Sequence, residues 1–495
     1  MRYRYHLFMP EAASPLFGAL LLAYLVTLLL VGAWKARSLR DIDDFHLAGR
    51  SLGTTVLAGT LIATWIGTGS IFGNAEEAYE VGFATWVLPL AGASGVFVLW
   101  RLASRLRSRP HVTIQDLLEE RFGPATRILG TVALLAGYVV IVSYQYRAGA
   151  TVLRYAAPGL SEAAAIVLVA AIVILYTAMA GMVSVARTDL VNGVLMAFGV
   201  IAVLCVQLVH FGGPSGVLDA LPHEHHSAIG PYKPLKVASI LLPSFLLVLG
   251  DANLYQRFFS AKTPQVAKSG ALWMLIGVLL LEYAILAIAL CGRARVEAGE
   301  LASPEHPAHI IVHLAFTDPL LPAWLGALLL ATLVAVVIST ADSYLLSPAS
   351  ALVRDVWQRF GNKSRSEINP LKLGRLAVCA LGLLALGLAF TSDSFFDLAL
   401  FAYTLYGATI TPALMAALFW PKVTKGGAFF GMLAGLLTAL SWRFGAQEVL
   451  LAALSEEALL HSAISSMDAV IPAVLASCLV MGVSAKAKLL APKKA

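Results

Sequence analysis

Three stretches of this 495-residue chain set oxygen-bearing side chains inside apolar runs. In ATWIGTGSIFGNAEEAY, residues 63–79, Gly67 and Gly69 stand one residue apart among Thr64, Thr68 and Ser70, beside Trp65. In SFLLVLGDANLYQRFFSAK, residues 244–262, Gly250 and Asp251 interrupt the apolar run and Asn253 follows. In VAVVISTADSYLLSPASALVRD, residues 334–355, positions 336, 339, 340 and 343 share one helical face that carries Ser339, Thr340 and Ser343, with Asp342 alongside. Glycines weaken a helix, and an interrupted helix frees backbone carbonyls. Carbonyls, hydroxyls and a carboxylate are hard oxygen donors that suit Na⁺, as they suit other hard cations. Each feature also has a plainer reading. Gly-x-Gly permits close helix packing, and Ser or Thr in a helix bonds back to its own turn. An intramembrane acid is the feature that favours an ion or solute path.

The elements that hold these residues follow from composition. Hydrophobic residues make up 59% of the chain and charged residues 13%, against about 25% charged in soluble domains. The chain therefore reads as an all-α polytopic membrane protein. Apolar stretches long enough to span occur near 15–34, 53–73, 81–101, 126–152, 161–180, 188–211, 237–258, 269–292, 320–347, 372–391, 395–419, 426–446 and 467–485, about 13 in all. The first is too long for a signal peptide and lacks a cleavage site, so it reads as a retained helix. With the N-terminus outside, 26 of the 35 Lys and Arg residues fall on the cytoplasmic side, 8 fall outside and Arg147 lies within a span. The asymmetry predicts an outside N-terminus and a cytoplasmic C-terminus in the plasma (inner) membrane. It also accounts for the net charge of +6 without a nucleic-acid partner.

No Walker A motif occurs, which argues against transport driven by ATP hydrolysis on this chain. Cys205, Cys291, Cys379 and Cys478 lie far apart and read as packing residues. His223, His225 and His226 in PHEHH have a spacing that can hold a metal, but such a run reads first as a solvated loop, and no transition metal is expected. Trp86, Trp100, Trp324, Trp420 and Trp442 read as interfacial anchors.

Interruptions in corresponding spans are the sequence sign of a transporter built from inverted repeats. The spans at 53–73 and 237–258 lie five apart and both are interrupted. The chain is divided accordingly: 1–52, an N-terminal extra helix and cytoplasmic loop; 53–211, repeat one; 237–419, repeat two; 426–495, two C-terminal helices and a basic tail.

On these residues the chain resembles the sodium:solute symporter family, whose members carry proline, sugars, sialic acid, iodide or choline. The matching strings are ATWIGTGSIFGNAEEAY, YTAMAGMVSV at 176–185, NLYQRFFSAK at 253–262 and ISTADSYLLS at 338–347. The family's signature usually has two glycines where this chain has Ala180 and Gly181. The resemblance implies a leucine-transporter-type core of five plus five helices, with one helix before and two after. It implies Na⁺ as the coupling ion, with no organic cofactor. Carried over, the main sodium site comprises the carbonyls of Ala63, Ile66 and Val336 and the hydroxyls of Ser339 and Thr340. A second site would use Asp189, Ser339, Asp342 and Ser343, unless Asp189 forms a salt bridge to Arg187 or another cytoplasmic-side cation.

The first core helix is closest to the choline-type branch, which has Trp at position 65 where proline-type carriers have Asp. That branch also has a Trp where this chain aligns Asp251, so the aromatic cage is incomplete and the solute stays open. Substrate-pocket candidates are Trp65, Thr68, Tyr144, Gln145, Arg147, Asp251, Asn253, Tyr403, Thr404 and Tyr406. The expected function is sodium-coupled import of a small organic solute by alternating access, not enzymatic catalysis. The alternative is a sodium-linked sensor that binds solute without net flux. Oligomeric state is not encoded in any feature found.

Overall fold

The computed structural model describes residues 46–360, 369–391, 395–454 and 459–490, with isolated positions between 18 and 30. The expected first span, most of the loop after it and the last residues of the basic tail lie outside the described residues. Among the described residues the chain is helical, and the one strand-like feature is a parallel bridge between Leu52 and Ala261.

Eleven helical spans among the described residues are long and apolar enough to cross a membrane. The difference from thirteen has a physical cause. The span at 15–34 falls outside the description, and the span at 53–73 is cut in two. Its first half, α1 (Thr54–Trp65), is short. Its second half is a π-helical turn, Gly69–Asn74, that runs into α2 (Ala75–Val81). The chain continues through α3 (Leu88–Arg107), the short α4 (Ile114–Phe122), α5 (Pro124–Ala156), α6 (Glu162–Met179) and α7 (Ser184–His210). The next span is again divided, into α8 (Pro234–Gly250) and α9 (Ala252–Ser260). Then come α10 (Pro264–Glu297), α11 (Ile310–Thr317), α12 (Ala323–Ala351), α13 (Pro370–Leu388), α14 (Phe395–Phe419), α15 (Lys425–Ser441) and α16 (Val470–Leu490).

The two divided spans break alike. Ile66 has φ −70° and ψ 100°, and Asp251 has φ −62° and ψ 110°. Each swings one peptide out of the helical ladder within an otherwise apolar segment. Such backbone is tolerated at membrane depth only inside protein or against a watery cavity. Here both breaks lie inside protein: Ile66 and Asp251 are at most 1% exposed.

Helix α12 forms the centre of the bundle. Residues 332–351 are buried without exception, so its hydroxyls and Asp342 face protein and not lipid. It packs against α5 and α7, and Thr332 donates to the Leu195 carbonyl at 3.2 Å. The lipid-facing belt is made by scattered exposed residues such as Val209, Trp273, Trp324 and Leu479. At one end of the bundle Arg127 closes the base of α5: its Nη2 lies 2.5 Å from Asp355 and 2.7 Å from Asp116, and its Nη1 pairs with Glu119. A capping box between Thr113 and Asp116 sets α4 in place there.

Gly181 separates α6 from α7 with φ +61° and ψ 176°, a conformation that residues with a Cβ avoid at a cost of about 1–3 kcal/mol. Of the two expected glycine positions, Gly181 is the one that holds this conformation. Gly181→Ala is therefore expected to lower the thermal unfolding midpoint of the detergent-solubilised protein. An unchanged midpoint would show that the α6–α7 turn does not depend on that backbone conformation.

Candidate functional site

The first break brings together the oxygens expected from the sequence. Ser339 Oγ lies 3.3 Å from the Ala63 carbonyl and 3.2 Å from the Val336 carbonyl. One hydroxyl proton serves two acceptors, and both contacts exceed the 2.5–3.0 Å usual for O–H···O bonds. Thr340 Oγ1 is buried and has no hydrogen-bond partner. It faces Gly67, where an added Cβ would lie 3.0 Å from both Oγ1 and Cγ2 of Thr340. Gly67 is therefore needed for close approach of the broken backbone to α12. Ile66, with its peptide turned out of the ladder, lies between Ala63 and this contact. The corner holds more acceptor oxygens than protons, a donor set that fits a small hard cation.

One helical turn along α12 the arrangement differs. Arg257 of α9 is wholly buried and reaches into the space between α1, α7 and α12. Its Nη2 donates to Asp189 Oδ2 at 3.2 Å and to Ser343 Oγ at 2.7 Å, and its Nε donates to Thr60 Oγ1 at 2.9 Å. Thr60 in turn donates to Asp189 Oδ2 at 2.5 Å. The cation that pairs with Asp189 is thus Arg257, not Arg187. Ser343 also lies 3.2 Å from Asp342 Oδ1 and 2.8 Å from the Ser339 carbonyl, which joins this cluster to the first.

The second break is closed by its own acid. Asp251 accepts from the N–H groups of Asn253 and Leu254 at 2.7 and 3.2 Å, and from the hydroxyls of Tyr138 and Tyr344 at 3.0 and 2.9 Å. It caps α9. Tyr406 donates to the Gly250 carbonyl at 2.6 Å and accepts from the Ala252 N–H at 3.2 Å. Asn253 is buried nearby, and neither polar atom of its side chain has a partner.

A small cavity of about 30 Å³ opens beside the first break, lined by Trp65, Gly69, Ser70, Asn74, Glu282 and Tyr403 together with Ser244 and apolar residues of α3, α8 and α14. Of the expected pocket residues, Trp65 and Tyr403 line it directly. Tyr144 donates to the Tyr403 hydroxyl at 3.3 Å, and Thr68 donates to Gln145. Asp251, Asn253 and Tyr406 gather at the second break instead. Arg147 is half-buried and Thr404 buried, and neither lines the cavity.

Sequence reasoning missed Glu282, Asn74, Thr60 and Arg257. Glu282 had a signal, since it is the one charged residue in the apolar stretch 269–292. The PHEHH loop also differs from expectation. His225 is buried, with Nε2 3.1 Å from the Tyr79 carbonyl, so this histidine packs the loop onto the α2 end of the divided span. No group of three or more metal-ligating side chains occurs among the described residues.

The described geometry can be set against known proteins. A model of the sodium:solute symporter family matches residues 45–435. The osmoregulated proline transporter OpuE of Bacillus subtilis is 26% identical over 437 residues, covering 85% of this chain and 87% of that protein. The sodium/proline symporter of Salmonella typhimurium is 26% identical over 437 residues, covering 85% and 86%. Among solved structures, a substrate-bound, outward-open Na⁺-coupled sialic acid symporter superposes with a TM-score of 0.80 at 17% identity, covering 96% of this chain and 98% of that one. MhsT in complex with L-phenylalanine gives 0.56 at 15% identity, covering 88% and 99%. At these identities the superpositions establish the fold: a leucine-transporter-type core.

Removing one partner of a buried ion pair leaves the other charge uncompensated, at about 3–5 kcal/mol. Arg257→Gln and Asp189→Asn are each expected to lower the thermal midpoint strongly, and the double variant less than the sum of the two. Additive losses would dissolve the pairing argument.

Proposed function

The chain belongs to the sodium:solute symporter family and is a sodium-coupled solute symporter; on that premise we propose that Na⁺ binds at the first break, to Ala63, Ile66, Val336, Ser339 and Thr340. The observation that carries the assignment is the surplus of acceptor oxygens where Ser339 meets the Ala63 and Val336 carbonyls. A cation there compensates for the hydrogen bonds given up by the broken helix and ties α1 to α12. Trp65 lies between two of these carbonyl positions in sequence and also lines the cavity. Order at the break therefore orders the cavity wall, which makes ion and solute affinities reciprocally coupled. One charge moving inward through 100 mV supplies about 2.3 kcal/mol before any concentration gradient.

The second expected sodium position, Asp189 with Ser339, Asp342 and Ser343, is proposed to be held by the Arg257 guanidinium, so that one Na⁺ moves per cycle. Sodium would reach Asp189 only if Arg257 left it. The repeats are proposed to run over 53–211 and 237–419, and the protein to sit with its N-terminus outside, which makes the Arg127 cluster cytoplasmic. The reading includes no bond-making chemistry. Proline, the solute named for the relatives, is the first compound to test, and the solute is small and organic.

In proteoliposomes an inward Na⁺ gradient is expected to drive solute accumulation that collapses when the gradient is dissipated. Replacing Ser339 and Thr340 together by Ala is expected to abolish Na⁺ stimulation, and Gly67→Ala to weaken it by displacing Thr340. Uptake by the double variant with unchanged Na⁺ affinity would refute the assignment. Binding without accumulation in the parent protein would favour a sensor.

A further inference from the structure

The cavity beside the first break has one charged lining residue, Glu282. Its side chain hangs from the middle of α10 and is 3% exposed. Ser70 donates to Oε1 at 2.6 Å and Asn74 to Oε2 at 2.9 Å, and the Trp65 indole also hydrogen-bonds the carboxylate. All these partners are neutral. Among the described residues no Arg, Lys or His forms an ion pair with Glu282, and the same is true of Asp251 and Asp342, whereas the buried acids Asp189, Asp318 and Asp355 each have an arginine; of the three acids without one, Glu282 alone lines the cavity.

A buried charge without a counterion is costly, and acids at membrane depth mark solute or ion paths. Three donors leave a carboxylate room for another, since it offers about four lone-pair sites. The neighbours argue against a metal ion here: the Asn74 amide nitrogen and the Trp65 indole are N–H donors, whereas Na⁺ needs oxygens. They suit an organic cation. Trp65 and Tyr403 add aromatic faces to the same cavity, and a ring face attracts a positively charged nitrogen. Both rings are pressed against glycines: a Cβ would lie 2.7 Å from Trp65 at Gly92 and 2.7 Å from the Tyr403 hydroxyl at Gly69. The volume of about 30 Å³ is water-sized, so a solute enters as these rings draw apart.

We propose that Glu282 is the counter-anion for the transported solute, and that this solute carries a protonated or quaternary nitrogen seated between Glu282, Trp65 and Tyr403. The proposal rests on the symporter reading and names the solute class for that site.

The test uses the purified full-length protein in NaCl, with thermal stabilisation by choline, proline and agmatine compared with glucose, acetate and 3,3-dimethylbutan-1-ol, the uncharged carbon isostere of choline. At least one of the first three compounds, each of which bears a cationic nitrogen, is expected to stabilise, and the three that bear none are not. The first three separate a quaternary head, an amino-acid zwitterion and an amine that also bears a guanidinium. Glu282→Gln keeps the shape and removes the charge; it is expected to weaken the stabilising cation about 10- to 100-fold and to leave stabilisation by Na⁺ alone unchanged. Selective stabilisation by glucose, acetate or the neutral isostere overturns the proposal, as does a Glu282→Gln protein that binds the cation as tightly as the parent. If the variant does not fold, the comparison of choline with its isostere on the parent protein decides. Sodium-driven accumulation of a solute that lacks a cationic nitrogen would sink this proposal and leave symport standing; binding of a nitrogen cation without sodium-driven accumulation would do the reverse.

Discussion

Lipid offers no replacement for a backbone hydrogen bond, and that constraint organises this molecule. Two spans break in mid-course, and the core supplies what each break forfeits. At Asp251 the chain supplies its own partners: the acid caps its own helix, and tyrosines from three other helices close around the break. At Ile66 no such cap exists. A single serine hydroxyl stretches between two carbonyls, and a threonine hydroxyl beside it has nothing to bond. The two otherwise similar kinks differ in that one is satisfied by the protein, whereas the other leaves oxygens short of partners, which supports the proposed sodium site.

The surrounding helices serve that difference. A fully buried α12 presents Ser339 and Thr340 to the first kink and Ser343 to Arg257, so one helix face addresses both clusters. Glycines admit the close contacts: Gly67 against Thr340, and Gly69 and Gly92 against the two rings of the cavity. Buried arginines pair with Asp189, Asp318 and Asp355, and among the buried acids left without one Glu282 alone lines the cavity.

Much of this was legible in the sequence, for reasons that are themselves physical. Glycines and clustered hydroxyls stand out in an apolar run, so the break near Gly67 and the Ser339–Ser343 face could be found by local pattern alone. The resemblance to the symporter family then paired them. Glu282 and Arg257 escaped because each is a single charge whose partners come from distant segments: Ser70 lies 212 residues from Glu282, and Asp189 lies 68 from Arg257. A search for polar clusters along the chain does not see such pairs. Asp251 shows a different limit of local pattern. An acid at a helix interruption reads as a ligand, yet the N–H groups two and three residues ahead and two tyrosines already occupy it. The eleven spans found among the described residues are fewer than expected because the first expected span lies outside the description and the kink near Ile66 leaves a first half too short to register as a crossing.

A guanidinium fixed to the chain cannot leave with the cargo. With Arg257 lodged against Asp189, that carboxylate has a counter-charge supplied by the chain itself. Glu282 has no such fixed cation, so the emptied core treats these two acids differently: one charge is matched from within and the other is not.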